Sequence, residues 1–238
     1  MHIGRRFDII VVIRAELRKQ DKGVDMPVSQ SQRLRRAAEK ASRRKVVVAE
    51  KRKAETASIL GRGSRREAEI AASAPIHSCT MSAGLFEAGI GWVTLARTLP
   101  LGEVAASAFL VDAFCLGIKD AFFAVTTKEQ FEDRMAAVSE NDAMIDIEPS
   151  VALKLLRDAA RYAGTFGLPP SDGFEAAGAI FGDIEMAEET FVFGKDGKPF
   201  FMSGPNDSPT RVRRILDALT KHAGPDGFEY MLGSAELI

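Results

Sequence analysis

The chain has 238 residues, 46% hydrophobic and 27% charged, which suits one sizeable globular domain with room for an appendage. Its longest early apolar run, Ile9–Ile13, falls far short of the roughly 20 residues that a membrane-spanning helix needs, and two cysteines exclude a disulfide framework. The formal charge of −1 hides a division: residues 1–75 carry 19 Lys and Arg against 9 Asp and Glu, whereas residues 76–238 carry 13 against 24.

Asp8, Arg14 and Glu16 interrupt the Ile9–Ile13 run, and no small-residue cleavage site follows, so it does not read as a signal peptide. A cytoplasmic protein with free thiols is the resulting expectation. Two readings of residues 1–25 stand side by side. They are an upstream extension that is dispensable, or Phe7–Leu17 forms a short element that packs on the body.

Residues 26–74 read as a basic helical arm and hinge. From Arg33 to about Leu60 the chain has strong helix formers and neither Gly nor Pro. Ser29 or Ser31 can cap its start, and Gly61-Arg62-Gly63 ends it. Its apolar stripe is thin, so the helix is expected to project from the body. Gly61–Ser73 reads as the hinge. Arg33, Arg35, Arg36, Arg43, Arg44, Lys45, Lys51, Arg52 and Lys53 spread positive charge around the helix without enough acidic partners four residues away. These nine are the candidate nucleic-acid-binding residues.

Residues 75–238 are expected to form an α+β domain, mainly an antiparallel sheet packed with helices. Ile90–Thr98 has strand character, and Leu99-Pro100-Leu101-Gly102 is a turn. The long apolar stretch that follows divides at Gly117 into strands Val104–Phe114 and Ile118–Val125, although a buried helix has the same periodicity. Thr127-Lys128-Glu129-Gln130 matches a capping box and opens a helix to about Val138. Pro149 starts the next helix, with a stripe of Val151, Leu155, Ala159, Tyr162 and Phe166. Ser171 is a candidate cap for a helix through Phe181. Lys195-Asp196-Gly197-Lys198, between Phe191–Phe193 and Phe200–Met202, predicts a β-hairpin. Ser208-Pro209 opens a final helix whose Val212, Ile215, Leu216 and Leu219 face inward.

Two motifs lie in this domain: Phe109-Leu110-Val111-Asp112-Ala113-Phe114-Cys115-Leu116-Gly117-Ile118-Lys119-Asp120, and Phe181-Gly182-Asp183-Ile184-Glu185 with the later Gly194–Pro199 and Gly204–Asp207 segments. Together they resemble a family of uncharacterised bacterial proteins pairing FLVDxxCLG[VI]KD with FGDx[DE] and GKPxxxGPxD, over roughly residues 76–222. The resemblance implies that these segments share one domain, and it carries no activity or site residue.

Asp112 is costly to bury in an apolar strand unless it is paired or metal-bound. One reading pairs it with Lys119, Arg97 or backbone amides to hold the bend at Gly117. The other gathers Asp112, Asp120 and Asp183, with Glu185 or Asp207, around a divalent metal for nuclease or phosphoesterase chemistry. Cys115 is a core thiol or, with His77 or His222 as base, a nucleophile. His77, Cys79, Cys115 and His222 have zinc-ligand chemistry without the paired short spacing of a structural site. Asn206-Asp207-Ser208, with Arg211, Arg213 and Arg214 nearby, caps a helix or offers amides to a phosphate. No cofactor is implied.

The leading expectation is a binding protein whose arm contacts the RNA or DNA phosphate backbone, or a ribonucleoprotein, with little sequence preference. Its acidic domain is then free for a protein partner. The alternatives are the metal-dependent enzyme and a structural interaction module.

Overall fold

A computed structural model describes residues 63–140, 142–204 and 207–232; the candidate arm residues Arg33 to Lys53 and the Phe7–Leu17 segment lie outside them. All of the described residues fall in one compact unit.

Five strands make an antiparallel sheet in the order β4-β3-β2-β1-β5: β1 (Ile76–Ser82), β2 (Ile90–Thr98), β3 (Glu103–Asp112), β4 (Gly117–Thr127) and β5 (Met144–Asp146). The apolar stretch is thus two strands, β3 and β4, and not a buried helix. β2 is buried along almost its whole length. Alternation divides its side chains. Val93 and Leu95 enter the main core with Cys79, Phe109, Val111, Ala121 and Phe123, whereas Trp92 joins Leu110 and Phe122 on the other face.

Three helices fill the main core: α1 (Arg65–Ala71), α4 (Pro149–Gly164) and α5 (Phe174–Gly178), the last running into a 3-10 turn over Ala179–Phe181. A short α2 (Leu85–Ala88) lies between β1 and β2. α1 corrects the expected hinge. Ser64 and Glu67 form a reciprocal capping box, and Ala68 and Ala71 are buried in the core, so this segment is an integral part of the domain.

α3 (Lys128–Ser139) starts at the expected Thr127 cap, but the box is not reciprocal. Gln130 Oε1 accepts from the Thr126 hydroxyl instead of the Thr127 backbone. α4 buries Ala152, Leu155, Leu156, Ala159 and Ala163, leaving Val151 and Tyr162 half-buried. The buried stripe is therefore rotated from the expected one toward the small residues, which permit close approach to the sheet. Ser171 does not cap α5: the N-cap is Gly173, and the Ser171 carbonyl accepts from Phe174 instead.

β6 (Phe200–Met202), α6 (Pro209–Ala223) and β7 (Glu229–Met231) make a small parallel strand–helix–strand unit. Its apolar side, Phe201, Val212, Ile215 and Leu219, packs on Cys115, Leu116 and Ala163 as a second core. The hairpin expectation holds only at the turn. Asp196 (φ 51°) and Gly197 (φ 80°) adopt the left-handed backbone of a two-residue turn closed by Lys195 and Lys198. The aromatic runs do not pair, because Phe191 and Phe193 pack on Phe86 and Tyr162 while β6 pairs with β7.

Candidate functional site

The two motifs meet at the loop between β3 and β4. β3 ends at Asp112, and its carboxylate Oδ1 accepts the backbone N–H of Phe114 at 3.1 Å and of Cys115 at 2.9 Å. The chain then reverses through Gly117, whose φ of +62° suits glycine. A Cβ at this position would stand 2.6 Å from the Ala159 carbonyl and 2.8 Å from Ala163 Cβ of α4. The second motif clasps this loop from outside. Gly194 N–H donates to the Ala113 carbonyl at 2.9 Å and Phe200 N–H to the Phe114 carbonyl at 3.0 Å. The loop backbone is thereby paired on two sides.

Asp112 is buried and lines a small cleft with Gly89, Ile90, Phe114, Lys119, Phe200 and Met202. Burial pushes its carboxyl above the usual carboxylate range, opposed by the Lys119 charge and by the amides of Cys115, Leu116 and Phe114. Cys115 is fully buried; desolvation, and then the neighbouring Asp112, raise its thiol well above the free value. Such a thiol stays protonated near neutral pH, which disfavours a nucleophilic role. Cys79 is likewise buried and pushed up to about 12. Tyr162, beside the same loop, is pushed up to about 12, chiefly by burial.

The other sequence candidates are dispersed. Asp120 is buried on β4 opposite Leu110, two positions back along β3 from Asp112. Asp183 is exposed beyond the 3-10 turn, whose Ile180 and Phe181 carbonyls accept from Arg97. Arg97 pairs with Ala105, seven positions along β3 from Asp112, about 23 Å at about 3.3 Å per residue. Asp112 and Asp183 therefore flank opposite ends of the sheet. Glu185 is exposed on the segment after the turn. Asp207 accepts from Gly204 N–H at 2.8 Å and pairs with Arg211 at 3.0 Å, so its own carboxylate occupies the helix entrance considered for a phosphate. Ser208 caps α6 by accepting from Arg211 N–H. Cys79 and Cys115 are free thiols in different cores, and His77 contacts Thr98 and Phe131. Among the described residues, no group of three or more His, Cys, Asp or Glu is placed to hold a metal ion.

Sequence reasoning missed Arg97 as a buried anchor. Its guanidinium donates to the carbonyls of Ile180 (3.0 Å), Ala74 (2.5 Å) and Phe181 (3.4 Å), tying β2 to the end of α5 and the exit of α1. An arginine within an otherwise apolar strand was the available signal.

No family model, no curated protein and no solved structure matches this chain. Among the described residues, no helix is long and apolar enough to cross a membrane.

Proposed function

We propose that the protein is a nucleic-acid- or ribonucleoprotein-associated binding protein that works in the cytoplasm. Its basic segment, Arg33 to Lys53, contacts phosphates of RNA or DNA, and its acidic domain takes a protein partner. The observation carrying this reading is the charge division, 19 basic against 9 acidic residues up to residue 75 and 13 against 24 after it. Phosphate contacts from such a segment give affinity through counterion release with little sequence information. The engagement of Asp112 with backbone amides supports a binding role over a metal-dependent reaction, since it accounts for the most conspicuous carboxylate structurally.

The test uses the full chain with Arg33, Arg35, Arg36, Arg43, Arg44, Lys45, Lys51, Arg52 and Lys53 replaced by Gln. Affinity for random single- and double-stranded RNA and DNA at low salt should fall at least tenfold, with the thermal melt of the domain retained. Unchanged affinity in a folded variant refutes the proposal.

A further inference from the structure

The five-stranded sheet ends in two unlike edges. At β4 the edge is engaged: Ser171 N–H donates to the Ile118 carbonyl at 3.0 Å and Gly63 N–H to the Phe123 carbonyl at 2.8 Å. At β5 it is open. Met81 pairs with Ile145, Ala83 N–H donates to the Ala143 carbonyl and Ile147 N–H to the Cys79 carbonyl. In an antiparallel pair this alternation turns residues 143, 145 and 147 toward β1 and leaves the N–H and C=O of Met144 and Asp146 pointing outward. Among the described residues, none of those groups has a hydrogen-bond partner. Ile145 is 43% exposed, and Asp146 and Glu148 are exposed as well.

The charge at this edge is of one sign. Residues 135–153 hold Glu140, Asp142, Asp146 and Glu148 and neither Lys nor Arg. Ala187 N–H donates to the Ser150 carbonyl at the start of α4, at 3.2 Å. That bond joins a second stretch, residues 183–193, with Glu188 and Glu189 exposed and again no Lys or Arg. Asp142 is engaged by the Ser82 hydroxyl at 2.6 Å, whereas Asp146 and Glu148 pair with no cation among the described residues.

We infer that β5 is where the acidic domain takes its protein partner, which adds an extended segment alternating Lys or Arg with apolar residues along this edge. The segment's backbone satisfies the outward groups of Met144 and Asp146. Side-chain alternation sets its composition. Asp146 shares a sheet face with its neighbour Thr80, and Glu148 follows two residues on in backbone that is still extended, so every second position meets a carboxylate. Ile145 lies on the other face beside Met81, which packs on the main core, so the positions between meet apolar surface. A second copy is a poor occupant: pairing β5 with itself about Ile145 sets Glu148 of one copy against Asp142 of the other, and like charges directly opposite are destabilising. The surface rests on the protein-partner half of the proposed function, and its loss would leave phosphate binding by the Arg33–Lys53 segment untouched.

The test titrates the isotope-labelled full chain with a short synthetic peptide alternating Lys and Val, and follows the amide resonances of Met144 and Asp146. Both should shift to saturation, and a peptide alternating Glu and Val should move neither. Asp146→Lys with Glu148→Lys should weaken the Lys peptide at least tenfold, with the thermal melt retained. N-methyl groups on alternate residues block one edge of a strand and spare the other. Of two Lys peptides, methylated on the Lys set or on the Val set, one should bind like the parent and the other at least tenfold more weakly. Equal affinity of the two would mean charge attraction without strand pairing and overturns the assignment. So do unmoved Met144 and Asp146 amides, or shifts there on concentrating the protein without peptide, which would make a second copy the occupant.

Discussion

The Cys115 amide lies 2.9 Å from Asp112 Oδ1, so the buried carboxylate of the first motif is the acceptor that turns β3 into the loop leading to β4. The same oxygen takes the Phe114 amide. Replacing Asp112 with Ala leaves both donors without this acceptor and should destabilise the fold by about 1–3 kcal/mol. Asn retains a carbonyl acceptor and removes the buried charge, so Asp112→Asn should lie within about 1 kcal/mol of wild type at neutral pH. Urea denaturation of the three proteins decides this.

The pH dependence follows from the same group. Burial raises the folded-state pKa of Asp112 above its unfolded value. Its contribution to stability is therefore fully present below the unfolded pKa, about 3.9, and is lost as pH rises through the folded pKa. The stability of wild type relative to Asp112→Asn should decline as pH rises from about 4 toward neutrality. Parallel thermal melts across that range measure it; a relative gain with rising pH would mean that the amides and Lys119 outweigh burial.

Gly117 has no tolerated substitute. At φ +62°, with the Ala159 carbonyl 2.6 Å from where a side-chain methyl would sit, Gly117→Ala should cost about 3 kcal/mol or more, since neither strand nor helix backbone can give way. Gly164→Ala, at the last turn of α4 with open space around its Cβ position, should instead be neutral or gain up to about 1 kcal/mol. Chemical denaturation of both variants gives the contrast.

Arg97 should resist even a conservative change. Its guanidinium serves three carbonyls from two separate segments, a fork that the single ammonium of Lys cannot reproduce. Arg97→Lys should cost about 2–3 kcal/mol through the unsatisfied carbonyls, read as a lower denaturation midpoint with an unchanged slope.

Much of the central sheet is legible in the sequence because its signals are local. Gly117 divides β3 from β4, Pro149 opens α4, and Ser208-Pro209 opens α6. β1 carries no such signal. Its Ile-His-Ser-Cys-Thr-Met-Ser sequence buries only Cys79 and Ser82 fully, and its pairing with β2 and β5 is a long-range event. α1 reads as a hinge despite its Ser64–Glu67 box, because seven residues between glycines and basic side chains offer little periodicity. Phe191–Phe193 resembles one arm of a hairpin, yet tertiary packing on Phe86 and Tyr162 overrides the local strand preference. At the site, an Asp beside a bend is visible in the sequence. That backbone amides hold it is among the readings the sequence offers; that they are those of Phe114 and Cys115 depends on the loop conformation that the second motif clamps.

The most direct test of a phosphate-binding role is the salt dependence of wild-type binding to a random-sequence duplex. At about 0.9 units of log–log slope per neutralised phosphate, four or more contacts by the Arg33–Lys53 segment predict a slope of about −3.6 or steeper. Affinity independent of salt, or no binding at low ionic strength, would contradict it.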